Sequence, residues 1–219
     1  MKTIAVFGGN GRTGLEILRQ ALDKGYKVKA LVRNPASFNI QHERLEVLQG
    51  TPMKKEDVEM TIKGADTVFV ALNIARTADN PWAKVKSPPD LLKVSMTHIV
   101  ESMKKHGVSR VLTVSAWGAG DSYREANWMF RFLINKTNVG VAYKGHEEQE
   151  EVLKNSGLNW TAVRPVGLTN SQASKPTRVS IGGSKKLKMG ISRKDVARFM
   201  LETLDDKACF QAAPSISND

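Results

Sequence analysis

Gly8, Gly11 and Gly14 recur within the run Gly8-Gly9-Asn10-Gly11-Arg12-Thr13-Gly14, which follows the apolar stretch Ile4-Ala5-Val6-Phe7 and opens the helical spacing Leu15, Leu18, Leu22. A strand, a glycine turn and a helix amino terminus in that order form an anion site. Unpaired backbone amides and the positive end of the helix dipole face the same point. The glycines answer different steric demands: the tight turn, the approach of backbone to phosphate, and close packing of helix on strand. The run therefore predicts a cradle for a dinucleotide pyrophosphate, with Gly9, Asn10, Arg12 and Thr13 as further contacts. The next strand, Lys27–Val32, is followed by Arg33, where an acidic residue would hold a ribose 2′-hydroxyl. No Asp or Glu stands there. Arg33, helped by Arg12, can instead make charge-assisted bonds to a 2′-phosphate, each worth roughly 1.5 to 3 kcal/mol. The expected cofactor is NADP(H), with NADPH preferred over NADH by roughly one or two orders of magnitude.

Such a cradle has to stand at the first junction of an alternating strand and helix pattern, and the chain supplies one. Apolar periodicity predicts a third strand at 45–48, a helix at 53–62 and a fourth strand at 67–72, the last apolar throughout as in a parallel sheet covered on both faces. Residues 73–89 carry Pro81, Pro88 and Pro89 and read as an irregular loop at the carboxyl end of that strand, bordering the cofactor crevice. A helix over 91–106 stops at Gly107, and the fifth strand covers 110–115. Residues 121–138 are partly helical and aromatic; Tyr123, Trp128, Phe130 and Phe132 either line a substrate pocket or simply pack. A helix at 145–155, a strand at 160–164 ended by Pro165, a short strand at 178–181 and a last helix at 192–204 capped by Ser192 complete the series. The prediction is an α/β, doubly wound Rossmann fold with a central parallel sheet of six or seven strands flanked by helices. It forms one NAD(P)-binding domain over 1–210, with pocket insertions at 73–90 and 117–142 and a loose polar tail at 211–219.

Composition narrows the classes of function. At 219 residues, with 41% apolar and 25% charged residues, the chain can bury a sizeable core. Its one cysteine, Cys209, cannot close an internal disulfide, which points to a reducing compartment and away from a structural zinc site; no metal site is expected. Met1-Lys2-Thr3-Ile4 runs directly into the first strand without a signal-peptide layout, and no apolar stretch reaches spanning length, so a cytoplasmic protein without a membrane partner is expected. The net charge of +11 raises the question of nucleic acid. The excess is spread along the chain, however, and its densest run, Lys185-Lys186-Leu187-Lys188 with Arg193-Lys194, has no aromatics interleaved for stacking bases. It reads as a solvated face, with a second role in drawing in anionic ligands, and argues against a nucleic-acid partner.

Several blocks, taken together, resemble a known family: Val6 to Gly14, Leu31-Val32-Arg33, Lys105-His106-Gly107-Val108, Ser115, the stretch from Ser156 to Pro165, and Ile191-Ser192-Arg193-Lys194-Asp195-Val196-Ala197. Over nearly its whole length the chain resembles the atypical short-chain dehydrogenase/reductases, most closely their NmrA-like branch and the NADPH-dependent flavin/biliverdin-IXβ reductases. That family's usual apparatus is a Ser with a Tyr-x-x-x-Lys pair, in which Tyr donates a proton and Lys lowers its pKa. Here Ser115 is kept, while Ala142 and His146 occupy the Tyr and Lys positions; Tyr123 and Tyr143 are followed four residues later by Asn127 and Glu147. The flavin and biliverdin reductases resemble this chain in lacking the pair. Hydride transfer to an electron-poor flavin N5 forms no alkoxide, so orienting the two rings does most of the work.

The resemblance implies an NADPH-dependent reductase of a flavin, quinone or similar conjugated small-molecule acceptor, as monomer or homodimer. Ser115 and His146 are the candidate catalytic residues: Ser115 would bond the nicotinamide or the acceptor, and His146 would contact an anionic substrate group or relay a proton. Read without the resemblance, Ser115 caps a strand end and His146 is a solvated helical residue beside Glu147 and Glu150. Along the cofactor the resemblance implies Thr51, at a position where the family often has Asp, with Leu72 and Asn73 beside the ribose and diphosphate and Pro165 and Val166 near the nicotinamide. NmrA-like proteins also imply an alternative: a non-catalytic NADP(H)-binding redox sensor whose partner surfaces are residues 73–89 and 121–138.

Overall fold

The computed structural model describes residues 1–219, apart from the side chain of Ser37. The chain runs β1 (Thr3–Phe7), α1 (Arg12–Asp23), β2 (Lys27–Val32), β3 (Leu45–Gln49), α2 (Lys55–Ile62), β4 (Thr67–Val70), α3 (Leu91–Lys105) and β5 (Arg110–Val114). It continues with α4 (Trp128–Lys136), α5 (Val139–Lys154), β6 (Asn159–Pro165), β7 (Leu168–Thr169), β8 (Thr177–Ser180), β9 (Ile191–Ser192), α6 (Arg193–Glu202) and β10 (Ser215–Asn218). The main sheet has eight strands in the order β3-β2-β1-β4-β5-β6-β10-β8, parallel except for β8 against β10.

Successive side chains of a strand face opposite sides, and the central strands use both. On one side Ile4 and Val6 of β1 meet Ile17, Leu18, Ala21 and Leu22 of α1 and Val196, Phe199 and Met200 of α6. On the other, Ala5 and Phe7 pack with Val58 and Ile62 of α2, Met96, Ile99 and Met103 of α3, and Leu153 of α5. This doubly wound arrangement explains why β4, Thr-Val-Phe-Val, is buried at every residue.

Three expectations need correction. The sheet holds eight strands rather than six or seven, because the carboxyl-terminal segment is no loose tail: Ser215 and Ile216 pair in parallel with Arg164 and Pro165, and Ser215 to Asn218 pair antiparallel with β8. Its single apolar residue gives no alternation to read, yet Ile216 is fully buried and its serines are buried beside it. The helix expected at 145–155 begins at Val139. Gly145 lies inside this helix where α3 comes close: a Cβ there would lie 3.1 Å from Leu92 Cδ1. Within residues 73–90 a bridge between Arg76 and Val85 braces the loop.

Candidate functional site

The strand order reverses between β1 and β4, and beyond the carboxyl ends of these strands lies a cleft of about 1110 Å³. Gly8 ends β1 with φ +84°, and a Cβ there would lie 2.5 Å from the Ala71 carbonyl oxygen. Only glycine satisfies both constraints. The Gly11 amide donates to Gly8 O at 3.0 Å, and the Leu15 amide to Gly11 O at 2.8 Å, so the turn feeds directly into α1. At Gly14 a Cβ would fall on the Gly8 carbonyl, far inside van der Waals contact. Helix α1 therefore lies directly on the turn. Gly8, Asn10, Gly11, Arg12 and Thr13 line the cleft, whereas Gly9 and Gly14 lie beneath it as packing positions, Gly9 against Leu18. No acidic residue occupies the first turn of α1, so its positive end meets the cleft uncompensated. A diphosphate fits this donor set.

Four arginines line the cleft: Arg12, Arg33, Arg76 and Arg193. Arg12 makes a 3.4 Å ion pair with Asp79, both side chains largely exposed. The Arg193 guanidinium donates to Asn170 Oδ1 at 2.7 Å, and burial followed by the neighbouring Arg12 charge lowers its pKa. Sequence reasoning assigned Arg193 to a solvated face. Ser192, the N-cap already read in the sequence, accepts from the Asp195 amide at 3.0 Å and so puts Arg193 on the first helical residue, where it lines the cleft. Thr51, Leu72 and Asn73 form the adjoining wall. The Thr51 amide donates to Asp57 Oδ2 at 2.9 Å, which brings a carboxylate of α2 against Thr51.

The other end of the cleft is lined by Ser115, Trp117, Phe130, Tyr143, His146, Pro165 and Val166. The aromatic rings brace one another, with centroids 5.3 Å apart for Trp117 and Phe130 and 5.9 Å for Phe130 and Tyr143. Of the four aromatics singled out in the sequence, Phe130 alone lines the cleft, while Trp128 and Phe132 point outward, 80% and 55% exposed. Tyr123 accepts from Asn135 at 2.8 Å and stacks with Arg131. Ala142 lines the cleft, and among the described residues lining it there is no lysine. Tyr143 is next to it, its phenol pushed up to about 12 by burial and so protonated at neutral pH.

His146 is not solvated but 5% exposed, because α5 turns this face onto the sheet. Burial, opposed by the Glu150 charge, lowers its pKa to about 4. Its Nδ1 lies 2.8 Å from Gln149 Nε2, which also donates to Val114 O at 3.1 Å, while Gln149 Oε1 is 3.4 Å from the Thr113 hydroxyl. The Ser115 hydroxyl donates to Glu150 Oε1 at 2.6 Å. Glu150 is itself buried and receives Arg164 Nε at 2.9 Å and Nη2 at 2.5 Å, and Arg164 reaches Asp121 at 2.6 Å. Desolvation would lower the Arg164 pKa, but the bonds and charges of Glu150 and then Asp121 raise it overall. Glu150, Gln149 and Arg164 escaped sequence reasoning. An arginine inside the apolar strand Trp160 to Pro165 was the available signal, since a buried cation needs a carboxylate.

Comparison with known proteins accords with this geometry. A family model described as NAD(P)H-binding matches residues 8–207. An uncharacterized chloroplastic protein of Arabidopsis thaliana is 27% identical over 176 residues, 77% of this chain but 60% of that one, so the chain spans less than two thirds of that relative. A short-chain dehydrogenase/reductase from Veillonella parvula, solved in complex with NADP, superposes with TM-score 0.78 at 19% identity, covering 99% of this chain and 94% of the other. An anaerobillin reductase from Escherichia coli gives TM-score 0.78 at 20% identity, covering 99% and 97%. At such identities the two solved structures establish a shared fold. Among the described residues no helix is long and apolar enough to cross a membrane.

Proposed function

This chain belongs to the NAD(P)H-binding family, and from that premise we propose that it is an NADPH-dependent reductase passing hydride to a flavin, a quinone or a similar conjugated acceptor. One observation carries the reading: a single cleft joins the glycine cradle to a wall of braced aromatic rings, Ser115 and His146. Its volume of about 1110 Å³ exceeds what one drug-sized ligand fills, roughly 300–1,000 Å³, and leaves room for a second ring system. When bound, the dinucleotide supplies the hydride. The chain's own residues supply the rest. Gly8, Gly11 and the α1 amides bind the diphosphate, Arg33 and Arg12 bind a 2′-phosphate, and Arg193 adds positive charge beside them. Thr51, Leu72 and Asn73 bound the adenosine half; Pro165 and Val166 bound the nicotinamide half.

Trp117, Phe130 and Tyr143 exclude water and offer flat apolar surface to a conjugated acceptor. No lysine of the cleft serves to lower a tyrosine pKa, which counts against ketone reduction and against epimerase chemistry of the usual kind. That an anaerobillin reductase shares the fold supports a conjugated acceptor. The test is NADPH oxidation by the purified protein supplied with FMN or a quinone. Turnover is expected, with Ser115→Ala slowing it at least about tenfold; NADPH binding without turnover on any acceptor would refute the reading. A redox-sensor role is the second reading, favoured by Trp82, Trp128, Met129 and Phe132, all exposed on the two segments suited to a partner. It predicts that absence of turnover.

A further inference from the structure

Two neighbouring residues of α5, Gln149 and Glu150, each touch one of the two candidate catalytic groups, His146 and Ser115. Ser115 gives its only proton to Glu150 Oε1 at 2.6 Å, and Glu150 cannot reciprocate while its oxygens receive Arg164. What Ser115 presents to the cleft is therefore lone pairs. The His146 side is set by Gln149. Its amide nitrogen, bonded to the Val114 carbonyl oxygen, must be the donor end, and the same nitrogen meets His146 Nδ1 at 2.8 Å. Nδ1 is thus an acceptor and bare, so in the neutral ring the proton resides on Nε2. Among the described residues Nε2 has no hydrogen-bond partner, and His146 lines the cleft, so Nε2 is the ring nitrogen left for a ligand there. His146 and Glu150 lie one helical turn apart, which brings the two groups to the same wall.

We propose that Gln149 and Glu150 are positioning residues that set this wall's polarity, Ser115 accepting and His146 donating, and that the acceptor substrate meets it with an N–H beside a carbonyl, the edge of a lactam or imide. The inference rests on the reductase reading and narrows it. A quinone, with carbonyls alone, leaves Ser115 unmatched, whereas the imide edge of a flavin satisfies both groups. The chemistry recognised is the edge, independent of which ring system carries it.

The first measurement needs no turnover. Ring ¹⁵N spectra of the histidine-labelled protein at pH 7 are expected to show His146 with Nδ1 bare and Nε2 protonated, and Gln149→Glu to remove that tautomer, because a carboxylate cannot donate to Nδ1. A wild-type ring protonated on Nδ1 overturns the polarity, and so does an unchanged spectrum in the variant. The second measurement is binding of lumiflavin and 3-methyllumiflavin to the protein loaded with NADP⁺. Methylation replaces the imide proton, and lumiflavin is expected to bind about tenfold more tightly, the size of one unmade hydrogen bond at a buried group. Equal affinities, or binding of neither, overturn the acceptor class. Both measurements read the wall directly, so an inactive protein would sink the reductase reading while leaving these results to decide this one.

Discussion

His146 sits in the interior with a carboxylate one turn away, yet burial outweighs that charge and its pKa falls to about 4 from an ordinary 6.5. The sign of the linked stability follows. Between these two values the unfolded chain binds a proton that the folded protein refuses, so stability is complete above about pH 6.5 and is lost as the pH falls toward 4. Going from pH 7 to pH 5 is expected to cost roughly 2 kcal/mol through this residue. Urea unfolding at the two pH values measures it, and the difference is expected to shrink by that amount in His146→Gln. Equal pH sensitivity of the two proteins would contradict the assignment. How little of this was readable in advance is instructive: Ser115 and His146 were noticed, but their polarity depends on Gln149, Glu150 and Arg164, which are between 3 and 49 residues away along the chain and nearest neighbours in space.

The first strand, turn and helix act as one unit, and their geometry was legible because most of its steric demands are met within one stretch of sequence, the approach of Ala71 to Gly8 being the exception. Gly14 shows the demand most directly: an added methyl would land on the Gly8 carbonyl. Gly14→Ala ought to raise intrinsic helix propensity by about 1 kcal/mol. The clash is expected to win, costing about 2 kcal/mol or more net and lowering Tm by several degrees while weakening NADPH binding, since α1 must lift from the cradle. A calorimetric scan together with a titration checks both; an unchanged Tm would show that helix and turn are not in contact. Element α5 was less legible. The helix was expected to start at Gly145 and instead starts at Val139, with Gly145 facing Leu92 of α3 at close range.

Taken as a whole, the protein carries a net charge of +11 without any dominant basic tract, and Arg12, Arg33, Arg76 and Arg193 line the cleft from separate parts of the chain. A diffuse positive field adds to affinity for any anionic dinucleotide and is screened by salt, whereas the preference for a 2′-phosphate is local. Raising ionic strength is thus expected to weaken NADPH and NADH together, and NADPH somewhat more. Arg33→Ala is expected to reduce the NADPH preference by roughly ten- to hundredfold with NADH binding nearly unchanged. Isothermal titration of both nucleotides at two salt concentrations decides this; a variant that keeps its preference would move the 2′-phosphate contact to Arg12 or Arg193.

From residue order alone came the glycine turn between β1 and α1, the alternation of strand and helix, the lack of an acidic residue after β2 and the absence of any Tyr-x-x-x-Lys sequence, because each is a local pattern of size, charge or backbone freedom. The eighth strand, the inward turn of His146 and the hydrogen-bond polarity of the wall arose from folding. Ser215 to Asn218 has one buried apolar residue and becomes a strand because the edges of β6 and β8 supply partners for its backbone. Ser115 and His146 likewise take their hydrogen-bond partners from groups buried against them, where an unpaired proton or lone pair is too costly to leave unmatched.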